Sequence, residues 1–387
     1  MKIAIDVRCL TDGRRTGVEE YTLSLLENIF EIDRKNKYVL FLNAWKEPRF
    51  DFSTLEKYPN VKLKRLRIPN KLLNFSFWYQ DWPKINRLVG GADIVFSPNI
   101  IFGAVSKYVK HVTTIHDLSF ERYPEYFSQK RRWWHIFINA RKICRQANRI
   151  IAVSESTKKD VVSLYGIDPQ KIAVIPSAVS DKFRIINRND AKLVKVKEKY
   201  NLPYKFILFL GTIEPRKNIV GLVRAFSAFQ KFARENKKDD LQKYKLVIAG
   251  SSGWKNEGIF QEINNSESKD DIQVINFVDD EDKPYIYNLA SLFVYPSFFE
   301  GFGFPPLEAM KCGVPVIASN NSSLPEIVGN AGILIDPDKP EEIFRAMREV
   351  LSSRELQLEL IKKGFEKADQ FAWKKTAQKT LEIFETT

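Results

Sequence analysis

Short apolar runs rich in β-branched residues alternate with amphipathic stretches twice along this chain, and that alternation leaves few folds open. In the first half IAIDVR (3–8), YVLFLN (38–43), VKLKRL (61–66), DIVFSP (93–98), HVTTIHD (111–117) and RIIAVS (149–154) read as strands. The second half repeats the theme with FILFLG (206–211), YKLVIAG (244–250), IQVINFV (272–278), SLFVYPS (291–297), PVIAS (315–319) and GILIDP (332–337). Helix-patterned segments such as 18–32 lie between them, and strand–helix–strand order predicts a parallel sheet covered on both faces. Each half is therefore expected to be a Rossmann-like α/β domain. Ligands of such sheets sit outside the carboxyl ends of the strands, so a cleft between the halves is the expected active site.

With 387 residues the chain can bury two cores. Around 180–202 the apolar pattern lapses into a charged connector with one helix before Pro203. The expected division is 1–185, a linker at 186–202, and 203–370. The tail FAWKKTAQKTLEIFETT (371–387) reads as a lone amphipathic helix with Trp373, Leu381 and Phe384 on its stripe. The three cysteines form no C-x-x-C pair, which argues against a disulfide framework or a zinc ribbon and fits a reducing compartment. Asp6 and Arg8 interrupt the first apolar run, so it reads as a buried strand rather than a signal peptide, and no stretch of eighteen uncharged apolar residues exists to span a bilayer. A cytoplasmic protein is the expectation.

The net charge of +13 is concentrated. Residues 62–88 hold seven Lys or Arg against Asp81, and 121–149 hold eight against Glu121 and Glu125, a surplus of six in each. Phe75, Phe77, Trp78, Tyr79 and Trp82 punctuate the first segment, Trp133, Trp134 and Phe137 the second. Rings beside cations suit the inner leaflet of an anionic membrane. The same composition suits single-stranded nucleic acid or a solvated basic face whose rings lie in the core. No nucleic-acid motif is present, and none is expected as a partner.

The densest chemistry lies in FFEGFGFPPLEAMKCGVPVIAS (298–319). Glu300 and Glu308 stand eight residues apart across a Gly-Phe-Gly turn that feeds a helix, so two carboxylates can hold two hydroxyl-bearing parts of one ligand. The amides of Gly301, Phe302 and Gly303, with the first helical N–H groups, make an anion site. Together these point to a sugar–nucleotide. The plainer reading is an ordinary turn into a helix N-terminus. FILFLGTIEPRKNIVGLVRAF (206–226) has the strand, glycine, polar loop and helix order of a phosphate site, with Gly211 at the turn and Arg216 and Lys217 near the helix start. Gly13 and Gly17, in the loop before the first helix, allow close approach of a ligand to backbone.

The segment 298–319 and the following SNNSSLPEIVGNAGILIDP (319–337) resemble the donor-binding E-x7-E region of retaining glycosyltransferases of the glycogen-synthase-like superfamily, specifically glycosyltransferase family 4. The resemblance extends over nearly the whole chain, and GTIEPRKN is similar to a polysaccharide-assembly branch. It implies the GT-B architecture, two Rossmann-like domains facing across a deep cleft, with the C-terminal helix crossing back to the first. It further implies that Glu300 touches the donor sugar, that Glu308 takes the ribose hydroxyls, that Lys217 meets the donor diphosphate, and that His116 faces the donor sugar. The family's arginine after the glycine is Thr212 here, so Arg216 is expected to replace it. Asp117 would orient His116 or cap the next turn, and Arg14 and Arg15 would recognise the acceptor.

No D-x-D run stands out as a metal site, and the arginine, the lysine and the helix N-termini can meet a leaving diphosphate, so no cofactor and no metal are expected. The resemblance implies a front-face displacement without a protein nucleophile. The expected reaction is hexosyl transfer from a nucleotide sugar, GDP-mannose first, to a lipid-linked or polysaccharide hydroxyl. UDP-glucose and a dTDP-deoxysugar are alternative donors; a sugar-nucleotide epimerase and a non-catalytic lipid- or nucleic-acid-binding protein are the rivals of other classes.

Overall fold

The computed structural model describes residues 1–13 and 16–387; Arg14 and Arg15, expected at the acceptor, lie outside the described residues. The chain forms two compact units, the first comprising 1–118, 129–178 and 371–387, the second 119–128 and 179–370.

The first unit carries a seven-stranded parallel sheet of β1 (Lys2–Asp6), β2 (Lys37–Asn43), β3 (Val61–Leu66), β4 (Ile94–Ser97), β5 (Lys110–Ile115), β6 (Arg149–Ala152) and β7 (Ile172–Val174), in the order β3-β2-β1-β4-β5-β6-β7. The second carries β8 (Phe206–Leu210), β9 (Lys245–Ala249), β10 (Ile272–Ile275), β11 (Leu292–Tyr295), β12 (Val316–Ser319) and β13 (Ile333–Ile335), ordered β10-β9-β8-β11-β12-β13. All twelve expected strands form. The addition is β7, a three-residue edge strand within KIAVIP (171–176).

Central strands lose the alternation of a half-exposed sheet because helices cover both faces. All five residues of β8 are buried, as are all four of β4, β11 and β12. In each sheet the chain moves outward from its first strand and then returns to that strand's other side, which places a switch point between β1 and β4 and another between β8 and β11. Loops leaving those strands diverge and open a ligand crevice. The close approach of two such loops fixes one residue: Gly250 has φ +145°, and a Cβ there would meet the Gly211 carbonyl oxygen at 1.9 Å.

The helix Trp373–Thr386 belongs to the first unit and packs on the helix Gly17–Ile32. Trp373, Ala377, Thr380 and Phe384 are its buried stripe, and Leu381 lies beside it, half-buried. The charged connector packs with the second unit: its helix Ala191–Lys199 buries Leu193 and Val196, and the Ile186 amide donates to Asn288 Oδ1 at 2.8 Å.

Candidate functional site

Both halves of the second unit's switch point carry charge. After β8 the backbone makes a 3-10 turn, Pro215–Lys217, before Asn218 caps the helix Ile219–Glu235 by accepting the Gly221 amide. After β11 the chain runs through Phe298 and Phe299 to Glu300. The two loops are tied by the Phe298 amide, which donates to the Arg216 carbonyl at 2.8 Å.

Lys217, Arg216 and Glu300 consequently meet. Lys217 Nζ donates to Glu300 Oε1 at 2.5 Å and to the Tyr295 hydroxyl at 2.7 Å. Arg216 Nη1 lies 3.3 Å from Glu300 Oε2 and 2.6 Å from the Phe299 carbonyl, while its Nη2 donates to Glu214 Oε1 at 2.9 Å. Two cations and two carboxylates thus balance in a largely buried cluster. Burial pushes the Glu300 carboxyl up, but the Lys217 ammonium and the Arg216 guanidinium outweigh it and hold the group at about 2. Burial also pulls the Lys217 ammonium down, against the pull of Glu300. Neighbouring basic residues in a loop are ordinarily solvated; these are not.

The Glu300 backbone is held as well. Its amide donates to Ser322 Oγ at 3.0 Å, and Ser323 Oγ donates to the carbonyls of Glu300 and Phe302 at 3.0 and 2.5 Å. Gly301, Phe302 and Gly303 are buried, and Gly303 adopts φ +127° to enter the helix Phe304–Lys311. Pro305 and Pro306 occupy that helix's first turn and carry no N–H, which reduces the anion site expected there to the turn amides and Phe304. Glu308 sits one side of the same helix, one oxygen accepting the Tyr287 hydroxyl at 2.8 Å. Gly211 donates its amide to the Ala249 carbonyl at 2.9 Å at the end of β8.

His116 stands in the first unit, just after β5. Its Nε2 donates to the Pro98 carbonyl at 2.9 Å, which leaves Nδ1 as the acceptor in the neutral ring, and Tyr21 packs edge-on at 4.7 Å between centroids. Tyr21 in turn meets Trp373 at 5.8 Å. Burial lowers the affinity of His116 for a proton, opposed by the Pro98 bond and by Asp117. The Pro98 carbonyl therefore fixes the ring's tautomer. Gly17 is the first residue of the helix Gly17–Ile32, and Glu19 there completes a capping box with the Thr16 amide at 3.1 Å. Glu19 and Glu20 both stand in that helix's first turn, where acids complement its dipole.

Sequence reasoning did not identify Glu214, Tyr287, Tyr295, Ser322 or Pro98. Only Glu214 left a signal, its spacing to Arg216 in GTIEPRKN; the rest are joined to their partners by the fold. Among the described residues, no three His, Cys, Asp or Glu side chains gather as metal ligands would. Asp280 and Asp282, a D-x-D spacing, are paired with Lys182 and Lys283 and with Lys199 instead.

The aromatic segments behave differently from a core. Within the first unit the helices Asn70–Gln80 and Gln129–Ile138 join through Trp78 and Phe137, whose rings meet edge-on at 5.3 Å. Phe75, Trp78, Tyr79, Trp82, Trp133, Trp134, Ile136 and Phe137 are each at least 43% exposed, with Lys71, Lys130, Arg131 and Arg132 exposed among them. Phe77 alone of the noted rings is buried. The segment 121–149 divides: 119–128 belongs to the second unit, where Tyr126 stacks on Phe298 at 5.7 Å and Trp254 Nε1 donates to the Tyr126 carbonyl. Among the described residues no helix is long and apolar enough to cross a membrane.

Residues 15–183 match the profile of Glycosyltransferase Family 4, and residues 191–367 that of Glycosyl transferases group 1. The chain is 34% identical over 274 residues to the O-antigen chain mannosyltransferase B of Escherichia coli, covering 70% of this chain and 69% of that protein. It is 32% identical over 277 residues to the serotype-specific mannosyltransferase WbdA of the same organism, but spans only a third of WbdA's length. The sucrose-phosphate synthase of Thermosynechococcus elongatus superposes with a TM-score of 0.75 at 20% identity, covering 100% of this chain and 98% of that one. WaaG, a glycosyltransferase involved in lipopolysaccharide biosynthesis, does so with 0.73 at 14% identity, covering 98% and 99%. Two parallel Rossmann-like sheets, a C-terminal helix returned to the first, and these matches agree: the chain belongs to glycosyltransferase family 4, with the GT-B fold.

Proposed function

We propose that this glycosyltransferase moves a mannosyl group from GDP-mannose to a hydroxyl of a lipid-linked saccharide, with retention of the donor's anomeric configuration and without a metal ion. The observation that carries the sugar is the likeness, at 34% identity, to an O-antigen chain mannosyltransferase. The chemistry rests on the Arg216, Lys217, Glu300 cluster at the carboxyl edge of β8 and β11.

Cleavage of the sugar–phosphate bond puts negative charge on the departing diphosphate. Arg216 and Lys217 are the cations that would receive it, and fixed positive groups in a dry site stabilise such charge without rearranging solvent. Glu300 tethers both cations before the donor arrives and accepts a donor-sugar hydroxyl once the diphosphate draws on them. Glu308, oriented by Tyr287, accepts the ribose diol. His116 Nδ1 is the acceptor presented toward a sugar hydroxyl, its tautomer fixed by Pro98. The departing phosphate takes the acceptor's proton in a front-face displacement, and no protein nucleophile is required. The exposed rings of 70–82 and 133–137, ringed by cations, suit an anionic lipid surface, where a lipid-linked acceptor is met at the inner leaflet.

The test is a panel of GDP-, UDP-, dTDP- and ADP-sugars, with and without EDTA, read by protein melting and donor hydrolysis. GDP-mannose should stabilise the protein and be turned over with EDTA present. Stabilisation by a different nucleotide alone would replace the donor, activity that vanishes with EDTA would defeat metal independence, and no shift near millimolar concentration would defeat the reading itself.

A further inference from the structure

The first unit holds an open cleft of its own. At the carboxyl ends of β1 and β2, this cleft of about 530 Å³ is lined by Thr11, Asp12, Trp45, Lys46, Glu47, Arg49 and Asn70, among others. Ligand clefts commonly enclose about 300–1,000 Å³, so a short oligosaccharide fits.

Trp45 makes the cleft unusual. Its indole is 63% exposed, yet the backbone that carries it is fixed on both sides. The Ala44 amide donates to the Leu66 carbonyl at 3.0 Å, and the Arg49 amide to the Thr11 carbonyl at 2.9 Å. Arg65 reaches under the loop, donating from Nη2 to the carbonyls of Ala44 and Lys46 at 3.3 and 2.8 Å, and it pairs with the Glu47 carboxylate. An apolar face left in water on a loop this well held is a preformed platform rather than a mobile side chain. Asn70 is held likewise: its Oδ1 accepts from Asn43 Nδ2 at 2.6 Å, and Asn43 is itself buried and bonded to Ile68. The Nδ2 end of Asn70 is therefore the end turned to a ligand.

The ring narrows the class of ligand. Of the charged lining, Glu47 is already engaged by Arg65 and Arg67, while Asp12, Lys46 and Arg49 line the cleft with the indole. A flat apolar ring beside polar donors and acceptors suits a molecule with an apolar face and hydroxyl edges, which describes a pyranose.

We infer that the Trp45 cleft is a saccharide subsite that holds a sugar unit of the acceptor chain away from the hydroxyl that reacts. This deepens the transferase reading and rests on it for the word acceptor; saccharide binding itself does not.

The experiment titrates the full chain, without nucleotide sugar, with soluble α-linked manno-oligosaccharides of two to four units, observing indole N–H resonances. The Trp45 signal, assigned by its loss in Trp45→Phe, should move on titration. Trp45→Ala should weaken saccharide binding about tenfold and raise acceptor KM to match, with nucleotide-sugar stabilisation and melting unchanged; Trp45→Phe should stay within about threefold. An unmoved Trp45 signal, or saccharide affinity in Trp45→Ala equal to wild type, would overturn the subsite. Failure of every nucleotide sugar to stabilise the protein would strike the transferase reading instead and leave the saccharide titration to decide this one separately.

Discussion

Lys217 and Glu300 face each other at 2.5 Å with their side chains only 8% and 10% exposed, so neither can hand its charge to water if the other is lost. Breaking a buried pair from one side costs about 3–5 kcal/mol because a lone charge stays behind. Glu300→Ala and Lys217→Met should each lower stability by that order, and the double substitution should cost much less than the sum. Urea unfolding of the four proteins checks this; additive losses would mean the two charges are not coupled.

The same pair sets an acid limit. Glu300 is held near 2, below its ordinary 4.5, so its stabilising contribution is complete above about pH 4.5 and is lost as pH falls through 2. Glu300→Gln should flatten that limb of the stability profile.

The histidines act earlier and elsewhere. All three lie in the first unit. Burial holds His111 and His135 at about 4 and lowers His116. Unfolding lets them take protons near 6.5, so their contribution is present above that pH and is lost as pH falls toward 4. Hydrogen exchange should show the first unit opening between pH 6.5 and 4 while the second, without histidine, holds until its carboxylates protonate. Equal acid sensitivity of both units would refute this assignment.

Tyr287 and Glu308 give a test of the nucleotide site. Glu308→Ala should weaken donor binding about tenfold or more, the scale of a hydrogen bond to a charged group. Tyr287→Phe, which keeps the carboxylate but removes its guide, should weaken it less. Calorimetric titration separates the two; an unchanged Kd in Glu308→Ala would remove the residue from the site.

The exposed rings should behave as a membrane contact. Phe75→Ser with Trp133→Ser should reduce flotation with anionic vesicles severalfold, leave melting unchanged, and have little effect with zwitterionic vesicles. Loss of stability in place of loss of flotation would mark the rings as structural.

Much of this was legible in the sequence because it depends on local pattern. Twelve strands announced themselves as apolar runs, and the Glu300 and Lys217 neighbourhoods followed strand ends that the α/β alternation already marks as ligand sites. β7, as short as the β13 that was read, gave no pattern to set it apart from the loop around it. Tyr295, Tyr287 and Pro98 gave none either, since their roles come from partners 78, 21 and 18 residues away in the chain. Exposure of the aromatic segments was equally hidden. Nothing in composition tells a ring facing water from Phe77, two residues beyond Phe75 and buried.

The order in which the chain is made now acquires a meaning. Phe384 meets Phe96 in the first unit, and Trp373 meets Tyr21, yet both residues of the late helix follow the whole of 179–370 in the sequence. The segment 119–128 has the opposite problem, since its partners Phe298 and Trp254 are synthesised more than a hundred residues later. On the ribosome the first unit cannot complete itself as it emerges, because the whole of the second is synthesised before the first unit's last helix. A nascent chain stalled near residue 370 would present an uncovered apolar face, and the newly made protein is most in need of a chaperone at that point.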